Sequence, residues 1–443
     1  MGRPFEGSFV GTAIDFPCPS SPLELFSLHP LELVSMRPSL GCLEAVLHAL
    51  GDPHAGFPSI LVAGTNGKGS TSTFLSAGLI ASGLKTGLFT SPHLLNPLER
   101  ILIQGRPLPE ERLDAAFYRI LRAVLELQLP LTFFEWLSAL MFVAFQESGV
   151  DVGVLEVGMG GRLDATNLAK RRIATVITSI GKDHTGFLGE SLDQILVEKA
   201  GIARPEAPLF AHLPQRGLQS RLDGFAEARG VRVVFLGRQV RYRLLEASLF
   251  STRFVFEGRS LKAEIVLGML GEHQAANASL ALAVLEHLAN EGSLGVRMPE
   301  AVGALKSAFL PARMQLLGQA PLVLLDGAHN VHGAIALVSF LGPRLEGSHP
   351  ACIVGMSKGK DVSAMLKCLY RLNPAFVFPE VGHDRLLSAQ AIAREAQGLG
   401  MPFRVAPTIY DAFELFHGQQ PILFTGSLYF AGEVLKALGK GEP

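Results

Sequence analysis

Leu61-Val-Ala-Gly-Thr-Asn-Gly-Lys-Gly-Ser70 is the stretch that decides the fold. An apolar run, Ser59 to Ala63, enters a glycine-rich turn. Lys68 and Ser70 then open a helical pattern that lasts to Ser82. Strand, tight loop and helix together make a phosphate cradle. Glycine lets successive N–H groups point at one anion, and the helix N-terminus adds partial positive charge. Gly64, Thr65, Asn66, Gly67, Lys68, Gly69 and Ser70 are therefore candidate contacts to a nucleoside triphosphate. Lys68 is placed for the outer phosphates and Ser70 for a magnesium ion. The spacing departs from G-x-x-x-x-G-K-[ST], because Gly69 separates Lys68 from the hydroxyl. The competing reading is a glycine turn without ligand, but two glycines around a lysine are more than turning requires.

The chain has 443 residues, enough for roughly two or three domains. Its hydrophobic content of 48% supports large cores. A net charge of −1 with no basic run argues against sequence-independent nucleic-acid binding. Cys18, Cys42, Cys352 and Cys368 are scattered and form no C-x-x-C pair, which fits a reducing compartment better than disulfides or zinc. The most apolar stretch, Phe133 to Phe145, contains Glu135 and is too short to span a bilayer. The N-terminus has no unbroken apolar core of a signal peptide, and Glu6 breaks the myristoylation pattern. The expectation is a cytoplasmic protein with no membrane or nucleic-acid partner. No apolar helix is left over for an interface, so a monomer is expected.

Residues 1–22 are rich in Pro, Ser and Gly and are expected to be poorly ordered. Strands are expected at 59–63, 86–89, 152–156 and 173–178, and helices at 70–82, 110–127, 133–147 and 191–200. This alternation predicts an α/β fold with a mostly parallel sheet. Four closely spaced strands between Val231 and Val266 suggest a small antiparallel subsheet, with helices again at 273–289 and 298–308. Pro311 to Pro321 reads as a hinge. Strands near 322–326, 351–355, 375–378 and 421–425 then predict a second, smaller Rossmann-like α/β domain. The expected division is 1–310, hinge 311–321, and 322–443.

Three further stretches narrow the chemistry. Val152 to Asn167 delivers Glu156 at a strand end, where an acid is placed for magnesium; a surface carboxylate is the plainer reading. The glycines after it are not a dinucleotide fingerprint, because position 163 is Leu163. Thr178 to Ile202 runs from a strand through Asp183-His184 to a capped helix bearing Glu198 and Lys199. Taken alone, His184 and Lys199 would be ordinary packing and surface residues. Leu324 to Gly333 ends a strand at Asp326, with His329 and Asn330 at the mouth of the next helix. Ligands of open α/β sheets bind at such strand ends, although a capping Asp and a turn His look the same.

Gly64-Thr-Asn-Gly-Lys-Gly-Ser70, Thr90-Ser-Pro-His93, Thr132-Phe-Phe-Glu135, Glu156-Val-Gly-Met-Gly-Gly-Arg-Leu-Asp-Ala-Thr-Asn167, Asp183-His184, Glu198-Lys-Ala-Gly-Ile202 and Asp326-Gly-Ala-His-Asn330 follow one another in this order. In this the chain resembles bacterial folylpolyglutamate synthase/dihydrofolate synthases of the Mur ligase superfamily, from about residue 24 to the end. The resemblance implies an ATP- and folate-binding first domain and a glutamate-ligase second domain. It implies ATP contacts from Gly64 to Ser70, Asn277, Arg313 and Asp326. It places magnesium at two sites, one with Ser70, Ser91 and Glu156 and one with His184 and Lys199. Lys199 resembles a lysine carried as a CO2-derived carbamate, and a potassium ion is compatible with the same resemblance. Thr132, Phe133, Phe134, Glu135, Leu163, Asp164 and Ala165 resemble pterin-pocket residues, and His329 and Ser427 the glutamate and phosphate side. Lys68, Lys199 and His329 are the implied catalytic set.

The implied partners are ATP, L-glutamate and a folate or dihydropteroate, joined through an acyl phosphate with release of ADP and phosphate. Two departures stand out. Arg37-Pro-Ser-Leu-Gly-Cys42 has Cys42 where arginine is common, and Ala312 stands where glycine usually precedes the hinge arginine. A Mur-type peptidoglycan ligase is the alternative enzyme, but the residues before Ser59 are too few for its extra sugar-nucleotide domain. A GTPase switch would need an N-K-x-D signature, and the sequence has none.

Overall fold

The computed structural model describes residues 19–27, 39–416, 418 and 420–440. The expected disorder of 1–22 falls mostly outside these residues, as do Arg37 and Pro38. Within them, Pro22–Ser27 is helical, and Leu25 is buried in the first core.

The first sheet has eight strands: β1 (Ser59–Ala63), β2 (Thr86–Phe89), β3 (Ile101–Ile103), β4 (Arg106–Pro107), β5 (Val152–Glu156), β6 (Arg172–Ile177), β7 (Leu209–Ala211) and β8 (Val233–Phe235). Their spatial order is β4-β3-β2-β5-β1-β6-β7-β8. β2 to β3 and β3 to β4 are antiparallel, and every other pairing in the sheet is parallel. β1 and β5 are apolar runs buried along their whole length, as strands covered on both faces require. On one face lie helices Gly41–Ala49, Glu110–Leu127 and Phe133–Ser148, around Trp136, Phe142 and Phe145. On the other lie Lys68–Ala81 and Glu272–Glu291.

A three-stranded antiparallel sheet, β9 (Arg241–Ala247), β10 (Thr252–Glu257) and β11 (Lys262–Leu267), buries Phe254, Phe256 and Ile265 in the same core as helix Glu272–Glu291. Its β10–β11 turn is pinned by buried Glu286, which accepts from the N–H groups of Arg259 and Leu261 at 2.9 and 2.7 Å. The run Val231 to Leu236, expected in this subsheet, instead supplies β8 at the edge of the main sheet. Periodicity shows that a segment is a strand but not which strand it pairs with.

The second α/β sheet has the order β12-β13-β17-β14-β15-β16, with β12 (Gln315–Gln319), β13 (Leu322–Leu325), β14 (Ala351–Val354), β15 (Ala375–Pro379), β16 (Phe403–Ala406) and β17 (Ile422–Thr425). Only β12 is antiparallel in it. β12 lies inside the segment read as a hinge, so the second sheet begins before Pro321. Ala312 and Met314, on either side of Arg313, both have left-handed backbone, with φ of 55° and 50°. The expected glycine at 312 would be at ease there, whereas alanine's Cβ costs about 1 kcal/mol. Among the described residues no helix is long and apolar enough to cross a membrane.

Candidate functional site

Four neighbouring parallel strands of the first sheet end on one crevice. β1 feeds the phosphate loop, β5 ends in Glu156, β2 leads to Ser91, and β6 leads to Thr178 and Ser179. This is where an open α/β sheet binds its ligand, beside the strand at which connections reverse.

The phosphate loop is preformed. Gly64 and Gly67 have φ of 152° and 87°, and a Cβ on either would collide with Thr178 Oγ1 or Asn277 Oδ1 respectively. Thr178 Oγ1 and Ser179 Oγ donate to the Asn66 carbonyl at 2.6 and 2.9 Å. Helix Lys68–Ala81 starts at the loop, earlier than the expected residue 70, and brings Ser70 in buried.

Two lysines meet on one carbonyl of this loop. Lys68 Nζ donates to Gly64 O at 3.2 Å and Lys199 Nζ to the same oxygen at 2.9 Å. Lys199 is 4% exposed. Burial, and then the Lys68 charge, push its ammonium down to about 7, so a large part of it is neutral at neutral pH. The helix that carries it, Leu192–Ala200, opens with a capping box from Ser191 and Gln194. Arg162 N and Gly161 pack against its last carbonyls.

Glu156 is buried, and its Oε2 accepts from Ser91 N at 3.1 Å. Burial raises its pKa, while Lys68, the Ser91 N–H, Arg313 and Arg100 pull the other way. The carboxylate lies against the first turn of the helix: a Cβ built on Gly69 would stand 3.6 Å from Oε2, an ordinary contact. Ser70, Ser91 and Glu156 are thus oxygen donors on one small surface, and they fit magnesium, which takes one or two protein oxygens beside phosphate and water. Among the described residues no group of three His, Cys, Asp or Glu side chains is arranged to hold a metal ion by itself.

The second sheet faces this crevice with its own strand ends. Asp326, after β13, accepts from Met314 N and Ala328 N, both at 2.9 Å, and so fixes the backbone around Arg313. His329 Nδ1 lies 3.0 Å from Gly327 O, and burial together with Arg313 lowers its pKa to about 4. The ring is neutral at neutral pH, with its proton on Nδ1 and the Nε2 lone pair 3.9 Å from Asp183 Oδ2. Ser427, after β17, is buried, caps helix Leu428–Ala437, and lies 2.7 Å from Ser357 Oγ.

The two sheets touch across the phosphate loop. Asn66 and Asn330 exchange amide hydrogen bonds at 3.2 and 3.1 Å, and Asn66 Nδ2 is 3.0 Å from His332 Nδ1. Asp183 receives Lys360 Nζ at 2.7 Å and Asn330 Nδ2 at 3.0 Å. Burial alone would raise this carboxyl, but Lys360, His184 and Asn330 hold it well below the usual carboxylate range. A second contact lies beside Ser91, where Leu94 and Leu95 pack into the core of the second sheet. There buried Arg100 donates to His93 Nδ1 at 2.9 Å, and Arg385 donates to the Tyr429 hydroxyl at 2.6 Å. Lys360, Asp183 as a bridge, Arg100 and Arg385 were not singled out from sequence. The signal that finds Lys360 is its place shortly after β14, at the same end of the sheet as Asp326.

Several candidate substrate residues have structural partners. Thr132 and Glu135 form a capping box for helix Phe133–Ser148, at 2.7 and 3.2 Å. Asp164 is buried and caps the turn Ala165–Leu168 through Thr166, and its Oδ2 accepts from Met159 N. Phe133 lies under Arg100, 5.6 Å from ring centre to guanidinium carbon, and Phe134 packs on Phe89. Ala165 is buried and Leu163 exposed. Asn277 bonds Gln274 beside Gly67. His184 sits half exposed at a φ of 51°, with Nε2 3.9 Å from Asp183 Oδ1. Cys42 packs, partly buried, against the first core.

A phosphate loop with two lysines, facing a second α/β sheet across a crevice, defines an ATP-dependent ligase of the Mur type. The Mur ligase middle domain matches residues 62–285, and the Mur ligase, glutamate ligase domain matches 312–428. The dihydrofolate synthase/folylpolyglutamate synthase of Mycobacterium tuberculosis is 33% identical over 444 aligned residues, covering 94% of this chain and 90% of the relative. Escherichia coli FolC in complex with DHPP and ADP superposes with a TM-score of 0.83 at 28% identity, covering 96% of this chain and 99% of that one. The bifunctional folylpolyglutamate synthase/dihydrofolate synthase of Yersinia pestis, complexed with AMPPNP and a Mn ion, gives 0.83 at 29%, with coverage of 96% and 99%. The chain belongs to the dihydrofolate synthase/folylpolyglutamate synthase family.

Proposed function

We propose that the chain joins L-glutamate to the γ-carboxylate of folate and tetrahydrofolate glutamates, and to dihydropteroate, at the expense of ATP. The observation that carries this reading is the meeting of Lys68 and Lys199 on the Gly64 carbonyl, with Glu156 beside them and the second sheet opposite.

A carboxylate does not form an amide in water without activation. Transfer of the γ-phosphoryl group to the folate carboxylate gives an acyl phosphate. The glutamate amine then attacks the acyl carbon, phosphate leaves, and the amine loses its proton. Phosphoryl transfer needs positioning and charge neutralisation above all. The loop N–H groups, Lys68 and Arg313 supply these, with Asn277 and Asp326 on the nucleotide side. Ser70, Ser91 and Glu156 would hold one magnesium ion, and His184 and Lys199 a second. Bound there, the ions offset charge on the transferring phosphate.

Lys199 serves in this reading as a carbamate. Only a neutral amine adds CO2, and burial beside Lys68 leaves about half of Lys199 neutral near pH 7. A potassium ion remains an optional neighbour. Free glutamate carries two carboxylates and an amine. Lys360, Arg100 and Arg385 offer cations around the crevice, and His329 Nε2 is an acceptor that can orient the amine. With a pKa near 4, His329 is a positioning acceptor rather than a strong base. The pterin goes against Phe133, Phe134, Leu163 and Ala165. Thr132, Glu135 and Asp164 act by fixing the backbone of that pocket.

Acyl phosphates hydrolyse, so closure against water matters. We read 1–310 and the unit that begins with β12 at Gln315 as domains that close about 311–314, with Asn66–Asn330 and Asp183–Lys360 as the closed contacts. The test is ADP release with each component omitted in turn. Release that needs both glutamate and a pterin acceptor supports the reading. Release that ignores either one overturns it.

A further inference from the structure

A pocket of about 240 Å³ lies outside this site, lined by Arg162, Asn167, Val197, Gly201, Arg204, Phe225 and Arg229. Val197 and Gly201 are four apart on helix Leu192–Ala200 and its end, so they share a face, and Lys199 projects from the opposite one. The pocket is therefore on the back of the element that carries the buried lysine.

Three arginines line it, and each guanidinium is held from one side. Arg162 Nε and Nη2 donate to Glu198 Oε1 at 3.1 and 2.9 Å. Arg204 Nη1 donates to the carbonyls of Gly201 and Ala203 at 2.9 and 2.8 Å. Arg229 stacks on Phe225, 3.8 Å from the ring centre. Among the described residues only Arg162 of the three forms an ion pair; Glu206 acts on Arg204 at longer range. A guanidinium has five N–H donors in a planar fork suited to carboxylate or phosphate oxygens. Most of those donors are unused here, on side chains whose positions are already fixed.

The cations come from three separate segments, which suits a ligand with several oxyanions along a chain better than one compact anion. We propose that this pocket is a second anion site that takes the carboxylates of a γ-linked oligoglutamate. The choice of occupant rests on the ligase reading above, in which the product carries such a tail. Binding there competes with Glu198 for Arg162. Glu198 precedes Lys199, and its carbonyl accepts from Arg162 N at 2.9 Å, so occupancy bears on the lysine's helix.

The probe is fluorescein-labelled tetra-γ-glutamate, followed by anisotropy at low salt with ADP and magnesium present. The proteins are the full chain, R204Q/R229Q, and the exposed charge reversal Arg229→Glu. The expected result is saturable binding that weakens roughly tenfold or more in both variants, with unchanged ligation of a monoglutamate substrate. Orthophosphate at the same concentration should displace the probe poorly. No saturable binding, equal affinity in the variants, or displacement by orthophosphate as effective as by unlabelled peptide overturns the proposal. If wild-type ligation is absent, the ligase reading fails, while the anisotropy series still decides whether the pocket binds this anion.

Discussion

Replacing Lys199 by methionine should abolish ligation and yet stabilise the protein. Lys199 is 4% exposed and its ammonium has been pushed down from 10.5 to about 7, first by burial and then by Lys68. A lysine with a depressed folded pKa destabilises the fold wherever the unfolded chain still holds the proton. That cost is complete below the folded pKa and fades as pH rises from about 7 toward 10.5. Linkage gives a cost of about 4 kcal/mol at pH 7 and about 2 kcal/mol at pH 9. Methionine removes this cost but leaves the Gly64 carbonyl one donor short, worth about 1–3 kcal/mol. The net expectation is a gain of ~1–3 kcal/mol at pH 7 that shrinks by pH 9. The assay is urea unfolding in CO2-free buffer, followed by the fluorescence of Trp136. This is the single tryptophan of the chain, and it is buried in the core of the lobe that holds Lys199. A variant less stable than wild type at both pH values, or one with the same pH dependence, would refute a neutral buried amine.

Glu156→Gln keeps the shape and removes a charge that burial disfavours; the fold should persist while magnesium-dependent ATP binding, read by calorimetry with and without the metal, weakens roughly tenfold or more. Thr132→Ala should cost about 1 kcal/mol in unfolding free energy, through loss of the capping box. Its KM for the pterin substrate should move little, and a large rise in KM with unchanged stability would restore Thr132 as a direct contact. Asn330→Ala breaks the amide exchange with Asn66 and the bond to Asp183, so kcat/KM for ATP should fall roughly tenfold; unchanged steady-state kinetics would remove the closed contacts from the mechanism.

The glycine-rich loop after β1, the strand ending at Glu156 and the central strands of both sheets were legible because each depends on local chemistry, whereas the short strands β3, β4, β7 and β16 were not read. Glycine at positive φ, an apolar run of five residues and a capping residue leave marks in consecutive sequence. Pairing did not. The run ending at Leu236 reads as a strand, but whether it joins the small sheet or the main one is set by what packs on Leu209–Ala211. β12 was hidden because prolines at 311 and 321 bracket it, and its residues are only partly buried. The two-lysine meeting at Gly64 joins residues 135 apart, and the Lys360–Asp183 bridge joins residues 177 apart. Neither separation has a periodicity to betray it. Thr132, Glu135 and Asp164 illustrate the converse: motifs read from sequence as substrate contacts carry side chains that cap a helix and a turn.

Activation of a carboxylate by phosphoryl transfer is the central claim, and it leaves an isotopic trace. A folate acceptor labelled with 18O in its γ-carboxylate, turned over with ATP, magnesium and L-glutamate, should pass one labelled oxygen to each phosphate released, read by the 31P shift of the product. Phosphate free of label, with amide product formed at the normal rate, would contradict an acyl phosphate and with it the roles assigned to Lys68 and Lys199.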